Sequence, residues 1–172
     1  FKVQLRALLR AALGGALKLM IPMVTTPDEV AQVRRMLLEA RLELLARSTP
    51  FAMPQIGIMV EVPATALALD AFDIDFASIG SNDLLQYTMA AARDNQAVSA
   101  LTDPTHLGFV RLLQQIVDRA AARGISLSLC GDLAAQVQHV PLLLSAGLRS
   151  LSMPAASVGA IKRAIATWPS AE

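Results

Sequence analysis

An alternation of two patterns constrains this chain more than any single motif. Five short apolar runs recur along it: LKLMIPM (17–23), IGIMVEV (56–62), DFASIGS (75–81), SLSLCG (126–131) and SLSMP (150–154). Several are apolar at nearly every position, the pattern of strands covered on both faces. Each is followed by a stretch with helical spacing. TPDEVAQVRRMLLEARLELLAR opens on a Thr or Asp cap and carries acids in its first turn. VPATALALDAF reads as a short helix opened by Pro63, and NDLLQYTMAAARDN as a helix starting after Gly80. DPTHLGFVRLLQQIVDRAAARG runs from Asp103 as cap to Gly124 as stop. AAQVQHVPLLLSAG, in which Pro141 starts a turn or a second helical segment, and PAASVGAIKRAIATW complete the series.

The order is one helix followed by five β–α units. Strict alternation predicts an α/β fold with parallel strands. Either an open doubly wound sheet or part of a barrel satisfies it. No Gly-rich dinucleotide or phosphate-loop fingerprint follows any strand. Polar residues instead collect after the ends of several strands: Glu61, Asn82 with Asp83, Cys130, and Ser152. Functional groups supplied by several strand tops are the habit of the TIM (β/α)8 barrel, which takes about 250 residues when complete. Five units in 172 residues therefore predict a partial barrel, strands four to eight, with residues 1–172 as its C-terminal part. The absence of an initiator Met agrees with a piece of a longer protein.

Composition narrows the partners. Hydrophobic residues make up 54% and charged residues 17%, below the usual quarter or so, which implies a large buried core and excludes a disordered chain. A net charge of +1 offers neither a nucleic-acid footprint nor a polybasic membrane patch. No apolar run reaches the roughly 18 residues a membrane span needs. The single cysteine, Cys130, forms no internal disulfide and points to a reducing, cytoplasmic setting.

The strand-top residues carry the chemistry. Glu61 ends one apolar strand and Asp83 follows the next. Neighbouring strands lie about 4.8 Å apart, so the two carboxylates converge and share either a proton or a cation. Mg2+ suits such a pair, because it often takes one or two protein carboxylates and leaves its other positions to phosphate and water. The plainer readings are a helix cap for Ser81, Asn82 or Asp83 and a buried salt bridge for Glu61. Cys130 precedes Gly131 at a strand end and is either an inert core thiol or an acid–base group. Arg93 is either an ordinary surface residue or a fork for phosphate or carboxylate. His106 and His139 have no partner at metal spacing and read as structural or solvated.

GIMVEVPA, DFASIGSNDLLQYTMA and LCGDLA, in this order, closely resemble the C-terminal, phosphoenolpyruvate-binding domain of enzyme I-type phosphotransferases of the bacterial sugar phosphotransferase system. QLRALLRAA, KLMIPMV and LSMPAASVGAIK extend the resemblance over essentially the whole chain. Pyruvate phosphate dikinase and phosphoenolpyruvate synthase share the barrel and these positions, but the SND–LLQYT context favours the phosphotransferases. The resemblance implies transfer of a phosphoryl group from phosphoenolpyruvate to a protein histidine, with release of pyruvate. It implies Mg2+ held by Glu61 and Asp83, phosphate contacts from Asn82 and Arg93, and Cys130 as the acid that protonates the departing enolate. It also implies a homodimer, and a histidine-containing phosphocarrier served through the parent protein. Three departures stand out. The family's D-R-G-N reads Ala92-Arg93-Asp94-Asn95, its strand arginine is Lys18, and its Cys-Gly-Glu is Cys130-Gly131-Asp132. Lys18 still neutralises a phosphate but cannot fork onto it. The second expectation, from another class, is a non-catalytic dimerisation or regulatory module, with the strand at 17–23 as an uncovered edge open to pairing.

Overall fold

A computed structural model describes residues 1–169. Four parallel strands form the sheet: β1 (Lys18–Ile21), β2 (Gln55–Val60), β3 (Phe76–Gly80) and β4 (Ser126–Cys130). Their spatial order follows the chain, β1-β2-β3-β4. The parallel α/β expectation holds. The fifth run is reduced to a single parallel bridge between Leu129 and Leu151. There Leu129 N–H donates to the Ser150 carbonyl at 3.0 Å, and Ser152 N–H donates to the Leu129 carbonyl at 2.8 Å. Pro154 follows at once as the N-cap of the last helix; it has no N–H to extend the ladder.

Among the described residues seven α-helices accompany the strands: α1 (Lys2–Ala11), α2 (Pro27–Ala46), α3 (Pro63–Leu67), α4 (Ser81–Met89), α5 (Leu107–Ala122), α6 (Val140–Ser145) and α7 (Ala155–Ala166). None of them is long and apolar enough to cross a membrane. Helix α2 starts where its cap requires. Glu29 Oε2 accepts from the N–H groups of Thr25 and Thr26 at 2.7 and 2.8 Å, and Pro27 sits in the first turn. This capping box satisfies donors that the first turn leaves without partners. Helix α1 buries Leu5 and Leu9 against Val33, Leu37, Ala40 and Leu44 of α2, with Ile56 of β2 beneath. Arg6 pairs with Glu43 at 2.6 Å along the rim of that contact.

Two helix ends differ from the sequence expectation. Helix α4 stops at Met89 rather than running through AAARDN, because Ala90 turns left-handed at φ 50°. Ala91 is buried and its N–H returns to the Gln86 carbonyl at 3.2 Å. That apolar contact after a helix end sets the turn, and it places Arg93 on a loop. Helix α5 is capped by His106, whose Nδ1 accepts from Gly108 N–H at 3.1 Å. Asp103 instead closes a turn of its own, accepting from Thr105 N–H at 2.8 Å.

The two faces of the sheet are unlike. Ile58, Val60, Ala77, Ile79 and Leu129 point to one side and join Phe109, Leu113 and Ile116 of α5 in the main core. On the other side β3 is buried at all positions, with the Phe76 ring lying across Gly57. The outer strands are not. Exposed Lys18 and Met20 alternate with half-buried Leu19 and Ile21 on β1, and Ser126 is exposed on β4. Burial on both faces therefore holds for the centre of the sheet and fails at its flanks. A shallow cleft on this second face is lined by strand and strand-top residues, Cys130, Ser128, Ser150 and Ser152 among them, and by no helix residue. Among the described residues β1 has no strand beyond it and is the edge of the sheet.

Candidate active site

Glu61, Asn82, Asp83 and Cys130, predicted from the sequence, lie at the C-terminal end of the strands. Glu61 comes directly after β2 and is 3% exposed. Its Oε1 accepts from Met23 N–H at 2.7 Å. Met23 holds a left-handed backbone, φ 51°, a conformation that costs a side-chain-bearing residue about 1–3 kcal/mol and persists only where its surroundings fix it. The loop after β1 is thus folded back to hand an N–H to a buried carboxylate. Burial raises the pKa of Glu61 above the ordinary value; the Met23 N–H pulls it down, and the nearby Asp83 carboxylate pushes it up again.

Gly80, the last residue of β3, makes the approach of Glu61 possible. A Cβ built there would lie 2.6 Å from Glu61 Oε2 and 3.0 Å from its Cβ. In the first turn of α4, Asp83 stands beside Glu61 and faces Arg93, with Nη2 to Oδ1 at 3.8 Å. The long loop after α4 brings the guanidinium back over the helix that precedes it.

Ser81 and Asn82 dock the turn that follows β4. Ser81 Oγ donates to the Cys130 carbonyl at 2.7 Å. Asn82 Nδ2 donates to Asp132 Oδ2 at 3.1 Å, and Asp132 N–H donates to Asn82 Oδ1 at 3.0 Å. Gly131, at φ 106°, allows this close approach: a Cβ there would collide with Ser81 Oγ and stand 2.8 Å from Asn82 Oδ1. None of the cap candidates Ser81, Asn82 and Asp83 uses its side chain to cap α4, whose N-cap is Gly80. The Cys130 thiol is half-buried and donates to the Ile79 carbonyl at 3.5 Å.

The structure gathers these residues into two groups. Glu61, Asp83, Arg93 and Asn82 surround the start of α4, and Asn82 and Arg93 share a cavity of about 280 Å3 with Asp132, Gln136 and His139. Cys130 opens instead onto the second face of the sheet, in one cleft with Lys18. Lys18 lies at the opposite, N-terminal end of the strands, level with Gln55, its Nζ 5.1 Å from the centre of the Phe76 ring. Sequence reasoning missed Met23, Gly80 and Asp132 as parts of the site. The signals were present: a Gly just before SND, and an acid just after Cys130-Gly131.

A sheet of parallel strands in sequential order, with paired acids, an amide and a guanidinium at its C-terminal end, defines the class as an α/β protein with its polar groups gathered at the strand tops. The comparisons specify the class. The family model for the PEP-binding domain of PEP-utilising enzymes matches residues 1–169. Phosphoenolpyruvate-protein phosphotransferases of Listeria monocytogenes and Geobacillus stearothermophilus are each 44% identical over 161 residues, covering 92% of this chain and 28% of theirs. That of Staphylococcus epidermidis is 43% identical over 168 residues, covering 96% of this chain and 29% of its own. A crystal structure of a citrate lyase from Burkholderia xenovorans shares the fold, with a TM-score of 0.67 at 20% identity over 95% of this chain and 53% of that one. The chain belongs to the PEP-utilising enzyme family and matches its PEP-binding domain. It spans less than a third of the length of these curated relatives.

Proposed function

We propose that this chain is the phosphoenolpyruvate-binding part of a phosphotransferase. The enzyme would move the phosphoryl group of phosphoenolpyruvate to a protein histidine, release pyruvate, and begin the sugar phosphotransferase relay. The observation that carries the reading is Glu61: a buried carboxylate pinned by Met23 N–H and set beside a second carboxylate, Asp83. Two acids so placed call for a cation. Among the described residues no group of three or more His, Cys, Asp or Glu side chains is arranged to enclose a metal. A site with only two protein carboxylates suits Mg2+, whose remaining positions go to substrate oxygens and water. Glu61 and Asp83 would hold the ion, which when bound neutralises the oxygens of the phosphate and carboxylate.

The chain's own residues then divide the work. Asn82 has one Nδ2 hydrogen left after its bond to Asp132 and offers it to the phosphate. Arg93 swings from Asp83 to the phosphoryl oxygens, where charge spreads as the P–O bond breaks. Lys18, at the far end of the strands, is left outside this set and shares only the second-face cleft with Cys130. The phosphoryl group passes to the histidine nitrogen, and the enolate of pyruvate remains. The Cys130 thiol gives its proton to the methylene carbon of that enolate, and pyruvate leaves. The thiolate regains a proton from water. We further propose that the four strands and the Leu151 bridge are strands four to eight of a (β/α)8 barrel. A doubly wound sheet reverses its strand order and carries helices on both faces; here the order is sequential and the second-face cleft has no helix residue in its lining. The protein would be a cytoplasmic homodimer and would pass its phosphoryl group to a histidine-containing phosphocarrier.

The test is Cys130→Ala in the full-length protein. Pyruvate release should stop while Mg2+-dependent binding of phosphoenolpyruvate persists; normal turnover would remove Cys130 from the reaction. A second reading, a non-catalytic dimerisation module, is favoured by the altered context of Arg93, where Ala92 and Asp94 flank it. It predicts no heat on mixing this segment with phosphoenolpyruvate and Mg2+ in a calorimeter.

A further inference from the structure

The structure assigns Asp132 a role: we infer that it is the positioning residue that fixes which end of the Asn82 amide meets the substrate anion. The inference rests on the reading of Asn82 as a phosphate contact. An Asn side chain presents an acceptor on one side and two donors on the other, and a half-turn about its last bond exchanges them. Donors facing an anion attract it; the carbonyl oxygen facing it repels it. Asp132 removes the ambiguity by gripping both ends of the amide. Its backbone N–H, which can only donate, lies 3.0 Å from Asn82 Oδ1, and its carboxylate, which accepts, lies 3.1 Å from Nδ2. Exchanging the amide ends would set oxygen against carboxylate and N–H against NH2. The remaining Nδ2 hydrogen is then committed as a donor in the cavity shared with Arg93.

The grip depends on the turn between Cys130 and Asp132. Gly131 takes φ 106°, and Ser81 Oγ holds the Cys130 carbonyl at 2.7 Å. Three hydrogen bonds therefore tie the end of β4 to the start of α4, across 50 residues of sequence. Asp132 lines the same cavity as Asn82, and its role there is exerted through the amide it grips.

The experiment is a double-mutant cycle in the full-length protein, read by steady-state pyruvate release against phosphoenolpyruvate concentration. Asn82→Ala should raise KM. Asp132→Ala should also raise KM, by about tenfold, with kcat changed less than about twofold, because a contact made equally in ground and transition states acts on KM. Asp132→Asn keeps an acceptor for Nδ2 and should recover KM to within roughly threefold of the parent. In the Asn82→Ala background, Asp132→Ala should add nothing, since residues that act through one another are not additive. If Asp132→Ala leaves KM unchanged while Asn82→Ala raises it, the positioning role is wrong and the phosphate contact stands. Additive effects of the two substitutions likewise overturn the positioning role. If Asn82→Ala leaves KM unchanged, the reading of Asn82 fails, and the inference with it.

Discussion

Gly80→Ala tests whether the end of β3 is shaped around Glu61. The backbone at Gly80 has φ −81°, which any residue adopts, so the substitution adds no backbone strain. All of its cost comes from the methyl group. That carbon would lie 2.6 Å from Glu61 Oε2, 3.0 Å from Glu61 Cβ and 3.1 Å from Met59 Cγ. Ordinary contacts are about 3.5–4.0 Å, so the carboxylate must move by several tenths of an ångström. It cannot do so freely, because Oε1 is held by Met23 at 2.7 Å. Overpacking of this kind costs about 1–3 kcal/mol, or roughly 2–12 °C in unfolding midpoint for a chain of this size. Gly159→Ala on α7 is the control. Its nearest neighbour would be Arg163 Nη1 at 3.8 Å, and Gly→Ala at a compatible position stabilises by about 0.4–1 kcal/mol. Thermal unfolding of both variants beside the parent measures the difference. If the Gly80→Ala midpoint matches that of Gly159→Ala, Glu61 does not occupy the space above Gly80, and the geometry of the paired acids is wrong.

Glu61→Gln removes a buried charge but keeps an acceptor for Met23. Because the pKa of Glu61 is raised, the parent loses stability as pH climbs from its ordinary value of 4.5 through the raised one. The variant should lose that slope, and Mg2+ should raise the unfolding midpoint of the parent but not of the variant; equal Mg2+ shifts would refute the site. At the start of α2, Thr26→Ala should cost about 0.5–2 kcal/mol, measured by urea unfolding. Glu29 has its pKa lowered by the N–H groups of Thr26 and Thr25, so its stabilisation is present above the usual carboxylate range and is lost as pH falls through the lowered value. Glu29→Gln should flatten that acid limb, and an unchanged limb would show that the box does not form in solution.

Local patterns were enough for the elements whose causes are local. Helix α2 is legible in TPDE, because cap, proline and acids act within one turn of each other. The strands are legible as apolar runs, and their alternation with helices requires a parallel sheet. The same runs said little about the second face. In SLSLC every other residue is serine, and only the position of β4 at the flank of the sheet leaves those serines facing a shallow cleft. The end of α4 was equally hidden. AAARDN has good helix formers and no glycine, and the chain turns at Ala90 because Ala91 finds a buried place that a continuing helix would deny it.

The candidate site divides along the same line. Glu61, Asp83, Asn82 and Cys130 stand out in the chain because charge and polarity at the end of an apolar strand are conspicuous wherever that strand packs. Their partners are not conspicuous. Met23 is 38 residues from Glu61, and Asp132 is 50 from Asn82. The first interaction uses only a backbone N–H, which no side-chain pattern encodes. Which donor reaches which acceptor depends on distances set by strand register, by the reversal at Met23 and by the turn at Gly131. Composition and periodicity determine that acids and amides arrive at one end of a parallel sheet. Tertiary structure decides how they pair, because hydrogen bonds act over about 3 Å, a separation only the folded chain can set.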